Sequence, residues 1–134
     1  MIKILAIDHI VIRTEKPQTM IDFYINLLGC TLERDLGAEF GLTQLRAGNA
    51  LIDIVAVDGV LGKRGGPAPK PTGNNMDHFC LQIEPVDETI LLEYLKTHRI
   101  RAGEFTNRYG AEGFGRSIYI EDPDGNTIEL KSAA

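Results

Sequence analysis

Apolar and polar side chains alternate along three segments in the second half of the chain. Neighbouring side chains of a β-strand point to opposite faces of a sheet, so a period of two predicts one buried and one polar face. The apolar positions are Phe79, Leu81 and Ile83, then Ile118 and Ile120, then Ile128 and Leu130. The polar positions are His78, Cys80 and Gln82, then Ser117, Tyr119 and Glu121, then Thr127, Glu129 and Lys131. Three strands are therefore predicted, with an apolar face that needs cover.

Two segments instead show the helical period, one in each half of the chain. Their apolar positions are Met20, Phe23, Tyr24, Leu27 and Leu28, then Leu91, Tyr94 and Leu95. Pro17 suits a helix start, and Gly29 lies just beyond the end of the first segment. Asp87 precedes the second segment and suits an N-cap. Each half therefore contains one amphipathic helix that can cover the apolar face of a sheet.

The two halves also begin alike, with Asp8-His9-Ile10-Val11-Ile12 and Asp77-His78-Phe79-Cys80-Leu81, 69 residues apart. Both halves end in strand pairs joined by a turn that contains Gly-Asn, at Gly48-Asn49 and Gly125-Asn126. Such turn residues favour a hairpin. A strand at 30–35 completes a β-α-β-β-β order in the first half, and a weaker counterpart is predicted at 100–106. The internal repetition predicts two equivalent βαβββ modules.

The fold class predicted is α+β, in one domain spanning 1–134. The modules cover 1–58 and 76–134, and a Gly- and Pro-rich linker covers 59–75. A basic stretch in this linker, Lys63-Arg64-Gly65-Gly66, could form an anion-binding nest, but it lacks the context of a phosphate loop. We therefore interpret it as solvated linker.

Composition narrows the function classes. The chain has 134 residues, is 43% hydrophobic, and carries 14 basic against 19 acidic side chains, a net charge of -5. This charge argues against nucleic acid or an anionic membrane as a partner, and no apolar run has the roughly 18 residues of a membrane span. The cysteines Cys30 and Cys80 make no metal or redox spacing, and no signal-like N-terminus is present. We expect a soluble cytoplasmic protein with reduced thiols.

Candidate chemistry lies on the polar face. Each half contributes one histidine from its first strand, His9 or His78, and one carboxylate from its last strand, Asp53 or Glu129. Imidazoles and carboxylates that converge on a concave face suit a divalent metal of the Zn, Ni, Mn or Fe kind. Asp53 follows its Gly-Asn turn by one residue more than Glu129 does, so a one-residue slip in register would turn it to the wrong face.

Three further residues are candidates for substrate contacts. Tyr119 either donates a hydrogen bond to a substrate oxyanion or fills space as a β-favouring aromatic residue. Arg108 and Arg116 flank the segment 109–115, which we predict to be a mobile loop. These two cations suit an anionic substrate, although surface solvation explains either one alone.

Three motifs resemble the vicinal oxygen chelate superfamily, which includes glyoxalase I, fosfomycin-resistance transferases and extradiol dioxygenases. They are Asp8-His9-Ile-Val-Ile, Phe23-Tyr24-x-x-Leu27-Leu28-Gly29-Cys-x-Leu32, and Ser117-Ile-Tyr119-Ile-Glu-Asp-Pro-Asp-Gly-Asn-Thr-Ile-Glu129-Leu. The resemblance implies a curved eight-stranded mixed sheet that cups a metal site, with helices on the outer face. It also implies metal ligands at His9, Asp53, His78 and Glu129, and a homodimer in which modules of two chains share a site.

The resemblance to glyoxalase I implies a metal-dependent lyase or isomerase. Its small substrate would be chelated through adjacent oxygens, with Glu129 as the mobile base and Asp53 as its weaker mirror. An extradiol dioxygenase would use His9, His78 and Glu129 as a facial triad for Fe(II). The same resemblance is compatible with a fosfomycin-type thiol transferase, and a non-catalytic protein could use the cup to bind a small molecule.

Overall fold

The structure is a computed structural model that describes all 134 residues. The chain forms two compact units, Met1–Lys70 and Pro71–Ala134. Their boundary falls inside the predicted linker 59–75. Each unit contains one four-stranded mixed sheet.

The first unit has the predicted β-α-β-β-β order. Its elements are β1 (His9–Thr14), α1 (Pro17–Asp22), a π-helical turn (Phe23–Leu27), β2 (Thr31–Asp35), β3 (Leu42–Ala47), β4 (Ala50–Ala56) and a 3₁₀ turn (Gly62–Gly65). The sheet order is β1-β4-β3-β2. Strands β1 and β4 are parallel, whereas β4–β3 and β3–β2 are antiparallel.

The second unit repeats this arrangement. Its elements are β5 (His78–Ile83), α2 (Glu88–Thr97), β6 (Thr106–Gly110), β7 (Gly113–Glu121) and β8 (Thr127–Ser132). The sheet order is β5-β8-β7-β6, with β5 and β8 parallel. The α+β class with two βαβββ modules is confirmed, and the eight strands divide between two hydrogen-bonded sheets of four. Neither α-helix is long and apolar enough to cross a membrane.

The predicted helix ends are confirmed. Helix α1 begins at Pro17, and the π-helical turn that continues it stops before Gly29, which has a φ of 79°. A left-handed residue of this kind ends a helix, and glycine adopts it without a steric penalty. At the start of α2 the Asp87 carboxylate accepts a 3.0 Å hydrogen bond from the Ile90 amide, which satisfies one of the free donors of the first turn.

Alternation along the strands separates a core face from a polar face in both sheets. In the first unit Ile12, Ile52 and Ile54 are buried on the core face, together with Met20 and Tyr24 from the helical segment. In the second unit the buried apolar residues are Ile118, Ile120, Ile128 and Leu130, with Leu95 of α2. The opposite faces carry the histidines and carboxylates described below.

The prediction of a mobile loop at 109–115 is wrong, because this segment is the β6–β7 hairpin. Gly110 pairs with Gly113, and the rings of the cross-strand pair Tyr109 and Phe114 meet edge to face at 5.1 Å. The weak strand predicted at 100–106 correspondingly lies later, at β6. The glycines of this segment favour a loop on composition alone, whereas cross-strand pairing and the aromatic contact stabilise the hairpin.

The first part of the linker is fastened to the first unit by Arg13. The guanidinium donates hydrogen bonds to the carbonyls of Gly62, Gly66 and Pro67 at 3.0, 2.6 and 3.1 Å. The basic stretch therefore presents carbonyl groups to a cation rather than amides to an anion. This arrangement agrees with the interpretation that it is no phosphate site.

Replacing Arg13 with methionine should release the segment 62–67. Loss of even one charged hydrogen bond of about 1.5 kcal/mol corresponds to roughly tenfold more opening. Limited trypsin digestion should then cleave after Lys63 and Arg64 about tenfold faster than in the wild type. Arg34→Met, at an exposed arginine of β2, is the matched control, and equal acceleration in both variants would contradict this role of Arg13.

Candidate metal-binding half-sites

Each unit holds a histidine whose ring is oriented by the aspartate before it in the chain. His9 Nδ1 lies 2.6 Å from Asp8 Oδ1, and His78 Nδ1 lies 2.6 Å from Asp77 Oδ2. A carboxylate bound to Nδ1 favours the tautomer in which Nε2 carries the lone pair that can bind a metal ion. The hydrogen bond to Asp8 raises the pKa of His9, against a lowering by burial, and the charges of Asp53 and Asp8 add to the increase.

Strand pairing places one carboxylate at the same position in both units. Asp53 is the partner of Val11, two residues after His9, and Glu129 is the partner of Cys80, two residues after His78. The anticipated slip at Asp53 does not occur. The two hairpins close differently: Ala47 pairs with Ala50 in the first, and Glu121 pairs with Thr127 in the second. The first hairpin has one more residue between its closing pair and the carboxylate than the second has. Asp53 therefore stays on the same face of the sheet as His9.

Asp53 is buried and only partly satisfied. The residue is 3% exposed, and its Oδ2 accepts a 3.2 Å hydrogen bond from Gln44 Nε2. Oδ1 is buried and has no hydrogen-bond partner. An unpaired carboxylate oxygen is costly to bury, so a cation or a hydrogen-bond donor is the natural occupant beside it.

Glu129 is likewise buried, with 6% exposure, and its Oε1 lies 3.2 Å from His78 Nε2. The neighbouring Cys80 thiol has a raised pKa, caused by burial and by the charge of Glu129 and a hydrogen bond to it, against a lowering by Lys131. The neutral thiol is a poor metal ligand. Cys80 is therefore left out of the proposed ligand set.

Tyr119 and Arg108 lie beside this second pair. Tyr119 is the cross-strand partner of Glu129, and its ring meets that of His78 at 5.1 Å and 77°. The Arg108 guanidinium lies 4.2 Å from the centre of the Tyr119 ring, a cation–π contact. Arg108 Nη1 also donates to Ser117 O at 2.7 Å and to Ser117 Oγ at 2.9 Å.

Arg116 lies apart from this group. It alternates with Ser117 and therefore projects toward the helix-covered face of the sheet, where Nε and Nη2 donate to the Glu88 carboxylate at 2.9 and 2.8 Å. These hydrogen bonds from Arg116 lower the pKa of Glu88. The pairing ties Arg116 to the start of α2, so we leave it out of the proposed site.

Two polar residues join these groups that the site prediction omitted. Gln44 is the cross-strand partner of Asp53 in the first unit, as Tyr119 is of Glu129 in the second. Lys131 shares the polar face of β8 with Glu129 and is 7% exposed. The alternation along β8 already assigns Lys131 to this face, so the signal is present in the sequence; that of Gln44 depends on the strand register.

Each unit has a cleft next to its histidine or carboxylate. The first, of about 430 Å³, is lined by Val11, Arg13, Leu42, Asp53, Val55, Leu61, Arg64 and Gly65. The second, of about 300 Å³, is lined by Pro71, Asn74, Met76, Asp77, His78, Gly125, Asn126 and Thr127. The first therefore combines aliphatic side chains and two arginines with the buried Asp53, and the second reaches the oriented imidazole of His78.

The donors of each pair fit a divalent metal ion by their chemistry. Each pair combines an oriented imidazole with a buried carboxylate, a donor set that suits Zn, Ni, Mn or Fe. The unpartnered Oδ1 of Asp53 supports this interpretation. Within either unit alone no group of three or more His, Cys, Asp or Glu side chains is placed to hold an ion. Each unit thus offers a half-site of two ligands.

Comparisons with known proteins agree with this architecture. A protein from the mobile metagenome of V. Pseudocholerae is 25% identical with a TM-score of 0.75, covering 100% of this chain and 98% of that one. The fosfomycin resistance protein FosX from Listeria monocytogenes is 19% identical with a TM-score of 0.72, covering 98% and 94%. Lactoylglutathione lyase from Agrobacterium tumefaciens is 18% identical with a TM-score of 0.62, covering 96% and 93%.

The last two likenesses show a shared fold. The family assignment comes from residues 6–130, which match the model of the Glyoxalase/Bleomycin resistance protein/Dioxygenase superfamily. This match includes both βαβββ units and the two histidines and two carboxylates of the half-sites. The chain therefore belongs to the glyoxalase/bleomycin resistance protein/dioxygenase superfamily.

Proposed function

We propose that this protein is a metal-dependent, glyoxalase-like lyase or isomerase that acts on a small molecule through two adjacent oxygens. Proteins of the superfamily are commonly enzymes, bind small molecules and typically use divalent metal ions. The observation that carries the proposal is the repeated pair of an aspartate-oriented imidazole and a buried carboxylate on the neighbouring strand.

The proposed metal ligands are His9 and Asp53 from the first unit and His78 and Glu129 from the second. When bound, a divalent ion supplies Lewis acidity toward the two substrate oxygens. Asp8 and Asp77 hold the imidazoles in the ligating tautomer, so little reorientation is needed. Asp53 brings an oxygen that no protein donor satisfies.

Glu129 is the proposed base that moves the substrate proton. Its carboxylate is buried, so water has little access to the oxygen that accepts the proton, and it lies on the strand next to Tyr119. The Tyr119 hydroxyl is the proposed donor to a developing oxyanion. Arg108 stacks on that ring and so restricts where the hydroxyl can point.

We also propose that the protein is a cytoplasmic homodimer. Both cysteines are free thiols, which is typical of a reducing compartment. Superfamily members often form dimers. Light scattering coupled to size-exclusion chromatography gives the mass that decides between monomer and dimer.

Protein purified without chelators or a metal-affinity tag should contain about one divalent ion per site. His78→Ala should remove most of this metal, because the site loses a ligand and its orienting contact to Asp77. Elemental analysis measures the content. The matched control is His98→Ala at the end of α2, whose Nδ1 contacts Tyr94 O at 2.8 Å. Equally low metal in wild type and His78→Ala would sink the metal site.

Asp53→Asn should weaken metal binding while stabilising the metal-free protein. The variant keeps a polar atom at this position but removes the charge from a buried carboxylate whose Oδ1 has no partner, and an uncompensated buried group costs about 1–3 kcal/mol. Denaturant unfolding in EDTA and metal titration measure the two effects separately. A purely structural Asp53 predicts the opposite, a metal-free protein that becomes less stable.

The two carboxylates should also differ in strength. Asp53 is one methylene shorter than Glu129 and shares one oxygen with Gln44, so Asp53→Ala should cost less metal affinity than Glu129→Ala. Competition titration with a chelating dye compares the two variants. Equal losses would contradict the ranking and make Asp53 a full ligand.

Glu129→Gln should retain part of the metal but lose turnover by about 10²–10⁴-fold, because an amide oxygen still coordinates but cannot accept a proton. The assay uses hemithioacetals of methylglyoxal with several thiols, fosfomycin with thiols, and catechols under oxygen with Fe(II). Hemithioacetal turnover supports the proposal. Oxygen uptake assigns a dioxygenase, thiol addition to fosfomycin assigns a transferase, and inactivity of metal-loaded protein on all substrates assigns a binding protein.

A further inference from the structure

Lys131 is a buried cation without a counter-ion. The residue is 7% exposed, and no hydrogen bond or ion pair of the structure involves its ammonium group. The nearest carboxylate on its own strand, Glu129, faces His78 instead. Lysine is rarely buried unless it is paired, so this one requires a reason.

Two glycines of the β6–β7 hairpin provide the space that this side chain occupies. A Cβ at Gly115 would lie 3.0 Å from Lys131 Nζ, and a Cβ at Gly110 would lie 3.2 Å from Lys131 Cε. Glycine inside a strand is unfavourable by itself and often marks a close approach. The hairpin thus leaves a channel in which the lysine crosses β7 and ends near β6.

Arg108 approaches the same place from the other side of β7. Ser117 is the cross-strand partner of Lys131, and Ser117 is also the residue to which Arg108 donates. Only Nη1 of Arg108 is used in these contacts, so Nε and Nη2 make no hydrogen bond within the protein. Two cations with unused donors therefore flank one buried serine.

Glu112, in the turn of the hairpin, does not neutralise the two cations. Glu112 Oε2 accepts a 2.8 Å hydrogen bond from Gln82 Nε2, and it forms no ion pair with Lys131 or Arg108. Gln82 is the partner of Lys131 on β5. Gln82 thus holds the Glu112 carboxylate in a separate contact, and the Lys131 ammonium group remains unpaired.

We infer that Lys131 and Arg108 form an oxyanion-binding subsite, which selects substrates that carry a carboxylate or a phosphoryl-type group. The open edge of the guanidinium suits two parallel hydrogen bonds to such a group, and the ammonium adds a point charge. Ser117 acts as a positioning residue, since it is fully buried and holds Arg108 Nη1. The inference deepens the proposed function, on which it rests for the neighbouring chemistry at Glu129.

The test is a titration of full-length, EDTA-treated protein with inorganic phosphate, followed by amide NMR shifts in β7 and β8. Saturable shifts at millimolar phosphate are expected for the wild type. Lys131→Met should weaken binding by about tenfold or more, because a charge-assisted hydrogen bond to the anion is lost. Lys96→Met, at an exposed lysine of α2, is the matched control and should bind as the wild type does.

Gly115→Ala is the second variant, since it keeps the charge but places a methyl group in the channel of the lysine. It should also weaken phosphate binding, and the unfolding temperature of Lys131→Met should be unchanged or higher. Phosphate binding by Lys131→Met equal to that of wild type overturns the inference, as does equal weakening by Lys96→Met. Absence of binding by wild-type protein overturns it as well.

A parallel titration with acetate tells which oxyanion the subsite prefers. Because the protein is metal-free throughout, the outcome is independent of metal binding and turnover. Phosphate binding without metal or turnover would overturn the proposed function and leave the subsite standing. Metal binding and turnover without anion binding would overturn the subsite and leave the proposed function standing.

Discussion

The parallel pairing of the first and last strand in each unit is the constraint on which the candidate site depends. Parallel strands cannot be joined by a tight turn, so a helix and two further strands separate β1 from β4 and β5 from β8. This pairing brings a histidine next to a carboxylate that is distant in the chain, as His9 and Asp53 and again as His78 and Glu129. A shift of one residue in either pairing would send the carboxylate into the core.

The repeated framework carries different chemistry in its two halves. In the first unit the partner of the carboxylate is Gln44, an amide that donates to it. In the second unit the partner is Tyr119, whose ring contacts Arg108 of the outer strand β6. The same strand arrangement thus places an amide beside the carboxylate in one unit and an aromatic ring beside it in the other.

Burial of charge on these faces works against stability. Asp53, Glu129 and Lys131 are all less than one tenth exposed, and none of them forms an ion pair with a lysine or arginine side chain or with another carboxylate. The opposite faces offset this cost with fully buried Ile118, Ile120 and Ile128 in one unit and Met20, Tyr24 and Leu45 in the other. Unfavourable groups on an otherwise well-packed framework are typical of sites that bind a ligand.

Local patterns in the amino-acid sequence are sufficient to predict the α+β class, the repeat, both helices with the Asp87 cap, and the face on which His78, Tyr119 and Glu129 lie. These features depend on local periodicity and turn chemistry, which act between residues close in the chain. Four other features follow from tertiary contacts: the register at Asp53, the hairpin at 109–115, the pairing of Arg116 with Glu88 and the channel of Lys131. Each of these depends on which strands become neighbours and on the space that glycines leave between them, and no local pattern encodes contacts between distant segments.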